Sequence, residues 1–354
     1  MLAHARKRAI EVDWTFYCIL EQPGAMDEKA LALGARVVHS PVPMVKRAEF
    51  IRALRSELRR DAYDVLHCHH DILSAVYLLA ASGIPIRQRI VHVHNADEAL
   101  PTSNPLKRRL YREPMRQICL LMADRIVGIS HHTLDAFLAG RARRAKRDSV
   151  HYYGVDTTPF ENVSADRVGF RRRWDLPEDA LILLFGGRLV PEKNPVFAVD
   201  VLRELRDMDP HAFAVFVGAG SQEHDVLKRA RELGVESSVR LLGWRKDLAE
   251  IMSCSDWFIL PHPEHAVEGF GLAVVEAQLA GLRMLLSRGI PDDPLLPTAN
   301  FRRLALSDGP NLWAKAALEV VHSPAPSRAA AVAALKESPM DMDRALAELL
   351  MLQS

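Results

Sequence analysis

Strand-length apolar runs alternate with segments of helical period along most of this chain. In the first half, the runs "VDWTFYCIL" (12–20), "RIVHVHN" (89–95) and "RIVGIS" (125–130) are separated by helical segments such as "EFIRALRSELRRDAYD" (49–64). This order is typical of βαβ units, in which a helix connects two parallel strands. It predicts a parallel sheet with helices on both faces.

A second alternation runs from "ALILLFGGR" (180–188) to "RMLLS" (283–287). After residue 287 the strand character is lost, and the amphipathic pattern of "DMDRALAELLMLQ" (341–353) predicts a closing helix. Residues 154–174 are polar and turn-rich, so we interpret them as a linker. The predicted fold class is α/β with two Rossmann-like doubly wound domains, and the predicted ranges are 1–164, 165–330 and a helical segment within 331–354.

Composition agrees with two hydrophobic cores, because the 354 residues are 49% hydrophobic and 26% charged. The four cysteines contain no C-x-x-C pair, which predicts reduced thiols in a cytoplasmic protein. No uncharged stretch reaches the ~18 residues that span a bilayer. The N-terminal "MLAHARKRAIEVDW" lacks the apolar segment of a signal peptide.

Charge is distributed unevenly. Residues 1–164 contain 24 Lys and Arg against 18 Asp and Glu, a net charge of +6, whereas the rest of the chain has a net charge of −5. Basic clusters lie at 107–116 and 141–147. They are interpreted either as a solvated helix face and loop or as a contact with an anionic membrane surface. Aromatic residues are sparse around them, so we expect no nucleic-acid partner.

The first candidate binding motif is "LLFGGRLVPEKNP" (183–195), where a strand ends in two glycines. Gly187 allows the backbone to approach a ligand closely. Arg188 and Lys193 follow it, and these two cations have the chemistry to hold a diphosphate. The alternative is a surface loop with unpaired cations.

The second motif, "VFVGAGSQEHDVLKRA" (215–230), has a strand, two glycines and a helix. Gly218 and Gly220 precede a helix N-terminus, where backbone amides favour an anion. A dinucleotide fingerprint needs a third glycine at position 223, which is Glu, so NAD binding is disfavoured. A tight strand-to-helix turn explains the same pattern.

The third motif is "EGFGLAVVE", with Glu268 before a predicted helix and Glu276 about one turn inside it. The intervening residues place free amides at the helix N-terminus, and they are Gly269, Phe270 and Gly271. Glu276 has the two oxygens needed to accept both hydroxyl hydrogens of a ribose. Alternatively, Glu268 complements the helix dipole and Glu276 faces solvent.

These motifs occur together with "HYYGVDTTPF" (151–160) and "LPHPEHAV" before Glu268, in an order that resembles the retaining glycosyltransferases of GT-B fold, family four. The resemblance extends over residues 151–281. "DVLHCHH", "RIVHVHN" and "RIVGIS" in the first half fit less sharply. The resemblance is strongest to capsule and exopolysaccharide enzymes. It implies two domains facing across a cleft, a nucleotide-sugar donor, and a C-terminal helix that returns to the first domain.

The same resemblance implies a role for each matched residue. Arg188 and Lys193 would neutralise the diphosphate, and Glu276 would hold the ribose. Glu268 and the amides of the three residues after it would contact the donor sugar and phosphate. His94 corresponds to a histidine beside the reacting sugar. No metal is expected, because the cations take its place, and no cofactor is expected beyond the nucleotide-sugar co-substrate.

The chain departs from the family at its beginning. Family members open with a strand and a Gly-rich loop, whereas "MLAHARKRAI" resembles the helix that follows that loop. Either the start assigned to the chain is too late, or the first strand and loop are missing. In the second case we expect an unfilled interior position in the first sheet and doubtful activity.

Histidines concentrate near two neighbouring strand ends, with H-x-H pairs at His67 and His69 and at His92 and His94. Residues i and i+2 of a strand share a face, so the two pairs have the spacing of a zinc site. We favour histidines that line the cleft or serve the structure without a metal.

The sequence therefore predicts a metal-independent retaining hexosyltransferase that acts in surface polysaccharide synthesis. Its partners would be a nucleotide sugar and a lipid-linked or polysaccharide acceptor, and it would be cytoplasmic or peripheral at the inner membrane. One alternative is a non-catalytic nucleotide-sugar-binding or assembly protein. Another is a GT-B-type epimerase that acts on the nucleotide sugar itself.

Overall fold

The computed structural model describes residues 1–95, 105–265, 267–321 and 326–354. The chain divides into two compact units. The first unit comprises Met1–Val155 and Pro339–Ser354, and the second comprises Asp156–Ser338. The sequence pattern predicted the corresponding domain ends at residues 164 and 330.

The observed elements follow the alternation expected from the sequence. The strands are β1 (Thr15–Cys18), β2 (Arg36–His39), β3 (Val65–Cys68), β4 (Gln88–Val93), β5 (Arg125–Gly128), β6 (Asp148–Val150), β7 (Leu181–Gly186), β8 (Ala212–Val217), β9 (Val239–Leu241), β10 (Trp257–Leu260), β11 (Arg283–Ser287) and β12 (Phe301–Leu304). The α-helices are α1 (Leu2–Lys7), α2 (Asp27–Ala32), α3 (Arg47–Arg60), α4 (Ser74–Ala80), α5 (Pro105–Met122), α6 (His131–Leu138), α7 (Thr158–Glu161), α8 (Arg167–Arg173), α9 (Pro195–Met208), α10 (Glu223–Glu232), α11 (Leu248–Ser253), α12 (Leu272–Leu279), α13 (Gly309–Val321), α14 (Arg328–Glu337) and α15 (Met342–Gln353).

The strands of the first unit form two separate parallel sheets. One has the order β3-β4-β5-β6, and the other pairs β1 with β2. Among the described residues, β1 and β3 are not paired with each other, so each has an edge without a neighbouring strand.

Helices cover the first unit because their apolar residues recur at helical spacing. In α3, Phe50, Leu54 and Leu58 are four residues apart and all are buried. The closing helix α15 belongs to this unit: Nε2 of His151 lies 2.8 Å from the carbonyl oxygen of Ala345. The last segment of the chain therefore completes the first core.

The second unit contains one parallel sheet with the strand order β12-β11-β10-β7-β8-β9. Its central strands are apolar on both faces, as expected for a sheet covered by helices. Trp257 is fully buried, and its indole N–H donates to the carbonyl of Ala317 in α13 at 2.9 Å. The predicted fold class, α/β with two parallel-sheet domains, is confirmed.

Three local predictions need correction. Strand character does not end at residue 287, because β12 pairs with β11; its sequence "FRRL" lacks the apolar run of a buried strand since it lies at the sheet edge. The predicted linker contains α7 and α8, which bury Phe160 and Phe170. A proline inside the helical pattern of 106–123 predicts an interruption at Pro114, but α5 continues through it.

Candidate functional site

Strands β7 and β10 lie side by side where the strand order of the second unit reverses. From β7 the chain adds β8 and β9 on one side, and it then returns to add β10, β11 and β12 on the other. In open parallel sheets, ligands bind at the carboxyl ends of the strands at such a switch point. The first and third predicted motifs both follow strands at this point.

The loops after β7 and β8 pack backbone against backbone. The N–H of Gly187 donates to the carbonyl of Val217 at 2.9 Å, and that of Leu189 donates to Ala219 at 3.0 Å. Gly218 has φ 136°, and a Cβ there would lie 1.9 Å from the carbonyl oxygen of Gly187. The packing therefore requires glycine at position 218.

Gly220 has the same kind of role, since a Cβ there would lie 2.3 Å from the carbonyl oxygen of Leu189. The requirement for both Gly218 and Gly220 is thus explained by loop packing, which the sequence pattern did not predict. Gly187 differs, because the space beside it is open. Donor contact by these three glycines stays a prediction.

The two cations of the first motif have different environments. Arg188 is exposed, and it forms no ion pair with any residue described in the structure. Lys193 ends a short 3₁₀ turn, is partly buried and forms an ion pair with the carboxylate of Glu268. Burial, followed by the charge of Arg188, lowers the pKa of Lys193 to about 8, and the charge of Glu192 acts in the opposite direction.

Glu268 is therefore held by a cation before any ligand binds. Its side chain is 14% exposed and that of Lys193 is 17% exposed, so the pair is largely withdrawn from solvent. Nε2 of His262 lies 3.7 Å from a carboxylate oxygen of Glu268. Burial, followed by the charge of Lys193, lowers the pKa of His262 to about 4, so this ring is neutral at pH 7.

The third motif places Glu268 beside the beginning of α12. Gly271 is the N-cap residue, with φ 92°, and no side chain caps this end of the helix. A Cβ on Gly271 would lie 3.5 Å from Cγ of Glu268. Phe270 is buried and anchors the loop, while Gly269 is partly exposed. Among the described residues, this N-cap therefore offers no side-chain acceptor to the amides of the first turn.

Glu276 lies in the middle of α12 and is partly buried. Within the described part of the chain, no donor is bonded to its carboxylate, and burial raises its pKa to about 7. Nearby, Gln278 has partners for its whole amide, donating to the carbonyls of Val274 and Pro294 and accepting from Leu296 N–H. Glu276 is thus only partly exposed, and its contact with a ribose stays a prediction.

In the first unit, Asp71 fixes the backbone around His94. Its buried carboxylate accepts from the N–H groups of His94 at 2.6 Å and Asn95 at 3.2 Å. Nδ1 of His94 is hydrogen-bonded to the Tyr153 hydroxyl at 2.6 Å, and its Nε2 lies 3.0 Å from Nδ1 of His69. Burial lowers the pKa of His94, so the ring is held neutral.

The histidines of β3 and β4 form one cluster, as their spacing suggested. Nε2 of His67 lies 3.1 Å from Nδ1 of His92, and the rings of His92 and His94 stack with centroids 4.7 Å apart. Burial lowers the pKa of His67 to about 2. We call His67, His69, His92 and His94 the histidine cluster.

The residue pattern gave no role to three groups that the structure places in these sites. They are Asp71, Tyr153 and His262. Asp71 and Tyr153 each follow a strand of the first sheet, and His262 follows β10. Their position after strand ends was the sequence signal that could have indicated a role in these sites. Which side chains they contact, however, depends on how the loops fold.

Much of the predicted basic surface is neutralised within the first unit. Arg141 pairs with Glu113, Arg143 pairs with Asp135 at 2.8 Å, and Arg147 pairs with a buried Asp148. The side chains of Lys107 and Arg108 lie outside the described residues. No helix in the described ranges combines the length and apolar character needed to cross a bilayer.

Comparison with known families agrees with this division of the chain. Residues 1–154 match the glycosyl transferase 4-like domain, and residues 166–329 match glycosyl transferases group 1. Both halves of the chain therefore match domain families of glycosyltransferases.

Two similar proteins illustrate the relationship. The chain is 26% identical over 326 residues to EpsF of Bacillus subtilis (strain 168), named as a glycosyltransferase, covering 90% of this chain and 82% of EpsF. It is 24% identical over 275 residues to the UDP-Gal:alpha-D-GlcNAc-diphosphoundecaprenol alpha-1,3-galactosyltransferase of Escherichia coli, covering 74% of this chain and 67% of that protein.

Among solved structures, the fold is similar to that of Alr3699/HepE from Anabaena. The crystal structure of its UDP complex superimposes with a TM-score of 0.76 at 19% identity, covering 95% of this chain and 91% of that chain. Its UDP-glucose complex gives a TM-score of 0.72 at 18% identity with the same coverage. The GT-B fold expected from the sequence is thereby confirmed.

Proposed function

We propose that this chain is a retaining glycosyltransferase that uses a nucleotide-sugar donor to extend a lipid-linked or polysaccharide acceptor in surface polysaccharide synthesis. One observation carries the proposal. At the switch point of the second sheet, a partly buried Lys193–Glu268 pair adjoins an uncapped helix N-terminus, and that helix holds a carboxylate, Glu276, without a described donor.

The diphosphate of the donor fits the cations. Arg188 is exposed and has no acidic partner among the described residues, so it is available to a phosphate as a bidentate donor. Lys193 would exchange Glu268 for phosphate oxygens, or share its hydrogens between them. These two cations and the amides after Gly271 would supply positive charge where a metal ion otherwise acts, and we propose a transfer that needs no metal there.

The nucleoside fits Glu276. A carboxylate with a pKa of about 7 lacks hydrogen-bond donors, and a ribose diol supplies two. Glu268, released from Lys193, would accept from hydroxyl groups of the donor sugar. Similar proteins support this choice of donor: Alr3699/HepE was crystallised with UDP and UDP-glucose, and the E. coli relative is named for UDP-Gal.

We propose transfer with retention of configuration. The bond between the anomeric carbon and the phosphate oxygen breaks, and its electron pair stays on the departing diphosphate. The acceptor hydroxyl oxygen bonds to the same face of the anomeric carbon, and its proton passes to the departing phosphate. His94, held neutral and fixed by Asp71 and Tyr153, would hydrogen-bond to the reacting sugar.

A lipid-linked acceptor agrees with the surface of α5. Leu106 and Leu110 are one turn apart and are 65% and 67% exposed, on a helix that also carries Arg109 and Arg112. An apolar edge with basic neighbours has the character of an interfacial helix. We expect salt-sensitive flotation with anionic liposomes, reduced in Leu106→Ser/Leu110→Ser. Absence of binding to liposomes at low salt would refute the membrane location.

The function itself is tested by calorimetry and turnover with the full chain. UDP and UDP-sugars should bind, and Lys193→Met should weaken UDP binding at least tenfold, whereas the exposed control Lys315→Met should not. Transfer to lipid-linked or polysaccharide acceptors should follow. Binding without turnover would indicate a non-catalytic protein, and release of a new nucleotide sugar without acceptor would indicate an epimerase. If no nucleotide sugar binds, the proposal is wrong.

A further inference from the structure

The histidine cluster contains more imidazole than a single contact to a sugar requires. His67 lies in β3, and His69 comes directly after the end of that strand. His92 lies on the neighbouring strand β4. One ring nitrogen from each of these three residues lies within 4.8 Å of the other two. In a tetrahedral zinc site with Zn–N bonds of ~2.0–2.1 Å, ligand nitrogens are ~3.3 Å apart. Closing these nitrogens around one ion therefore takes shifts of about 1 Å together with rotation of the rings out of their stacked arrangement.

His92 supplies a second, independent observation. It is 4% exposed, and its Nε2 is buried without a hydrogen-bond partner in the described structure. Its other nitrogen is occupied, because Nδ1 contacts Nε2 of His67 at 3.1 Å. A buried ring nitrogen left unbonded costs roughly 1–3 kcal/mol, so such an atom needs an explanation, and an absent ion is one.

We propose that His67, His69 and His92 bind a single zinc ion. The donor set is imidazole only, which suits Zn²⁺, Cu²⁺ or Ni²⁺ and not the oxygen-preferring Mg²⁺ or Ca²⁺. The carboxylate of Asp71, which follows β3, is already occupied by the amides of His94 and Asn95. His69 is exposed, so a fourth coordination position is open to water.

The neighbours of the rings also bear on this site, because a metal ion binds one nitrogen of an imidazole while the other is hydrogen-bonded. Nδ1 of His69 lies 3.0 Å from Nε2 of His94, and Nδ1 of His67 lies 3.1 Å from the side-chain nitrogen of Gln353, whose amide would turn to present its oxygen when Nε2 of His67 binds the ion.

A second group with metal-ligating side chains does not have this character. Cys18, Asp27 and His39 also lie within ligand range of one another. However, both nitrogens of His39 are occupied, by the carbonyl of Leu20 at 3.0 Å and by Asp27 at 2.8 Å. Asp27 also accepts from the N–H of Gly24 at 2.9 Å. This group is satisfied by its own hydrogen bonds, unlike Nε2 of His92.

The test is direct metal binding by the full chain. Protein stripped with a chelator and desalted would be titrated with ZnCl₂, with bound zinc measured by atomic emission, and Co²⁺ would report the ligand field by visible absorption. We expect one zinc ion per chain. His69→Gln and His92→Gln should each weaken zinc binding at least tenfold. His132→Gln in α6 is the matched control and should not change it.

The two variants keep the result decisive. His69 is exposed, so its replacement should leave the fold intact even if His92→Gln does not fold. The proposal is overturned if the wild type retains no zinc after desalting, if neither variant changes the affinity, or if Cys18→Ser alone abolishes binding. Because zinc content and the Co²⁺ spectrum do not depend on sugar transfer, failure here is separate from failure of the proposed function.

Discussion

Replacing Glu276 with glutamine should stabilise the protein while weakening its proposed function. Burial raises the pKa of Glu276 from its usual 4.5 to about 7, which means that the folded protein binds this proton more tightly than the unfolded chain does. The resulting stabilisation is complete below pH 4.5 and disappears as the pH rises through 7. Glutamine has the same shape and no charge, so Glu276→Gln removes this pH dependence.

The magnitude follows from the size of the shift. One pKa unit corresponds to about 1.36 kcal/mol, and the part of the shift that falls between pH 5 and pH 8.5 amounts to roughly 2–3 kcal/mol. The unfolding free energy of Glu276→Gln minus that of the wild type should therefore be larger at pH 8.5 than at pH 5 by this amount. Urea unfolding at the two pH values measures it, with the exposed Glu319→Gln as the control.

Glu276→Gln should weaken UDP binding, although it stabilises the fold. If ribose hydroxyls donate to the Glu276 carboxylate, UDP binding favours the ionised form and releases a proton near pH 6.5. Calorimetry in buffers of different ionisation enthalpy detects that proton. Glu276→Gln should bind UDP at least tenfold more weakly at pH 8, since charge-assisted hydrogen bonds contribute about 1.5–3 kcal/mol each. Equal stabilisation at both pH values, or undiminished UDP affinity, would refute this reasoning.

Three further substitutions test the two sites. Gly218→Ala should lower the unfolding free energy by well over the ~1 kcal/mol expected for Gly234→Ala, which has positive φ but open space, as urea unfolding would reveal. Asp71→Asn should reduce the transfer rate by loosening His94, with UDP affinity unchanged in calorimetry. Arg188→Ala should keep the unfolding free energy within about 0.5 kcal/mol yet weaken UDP binding at least tenfold. Opposite results would remove the assigned roles.

The fold was predictable because its signal is local. Each buried strand is a short apolar run, and helices such as α3 repeat their apolar residues every four positions. The strand that was missed, β12, has two arginines among its four residues and lies at the edge of the sheet, where burial does not impose an apolar sequence. The apolar pattern of the sequence therefore failed to predict the one strand named here whose residues are not well buried.

The site was predictable as residue types but not as pairs. Glycines, cations and acids at strand ends were recognised, and Lys193 and Glu268 were assigned to different parts of a donor. That these two meet depends on the placement of β7 beside β10, which no short window of sequence encodes. The packing role of Gly218 against Gly187 likewise becomes visible only when the two loops are packed together in the folded protein.

The closing helix α15 has a consequence for the order of folding during synthesis. The first unit uses Pro339–Ser354, whereas the second unit is one continuous segment, Asp156–Ser338, that is made in between. At 5–20 residues per second, a ribosome needs roughly 10–40 s for that segment. The carbonyl that contacts His151 and the Gln353 side chain beside His67 arrive only afterwards. The second unit is thus free to fold first, while the histidine cluster of the first unit acquires its last neighbours only when synthesis has reached the final helix.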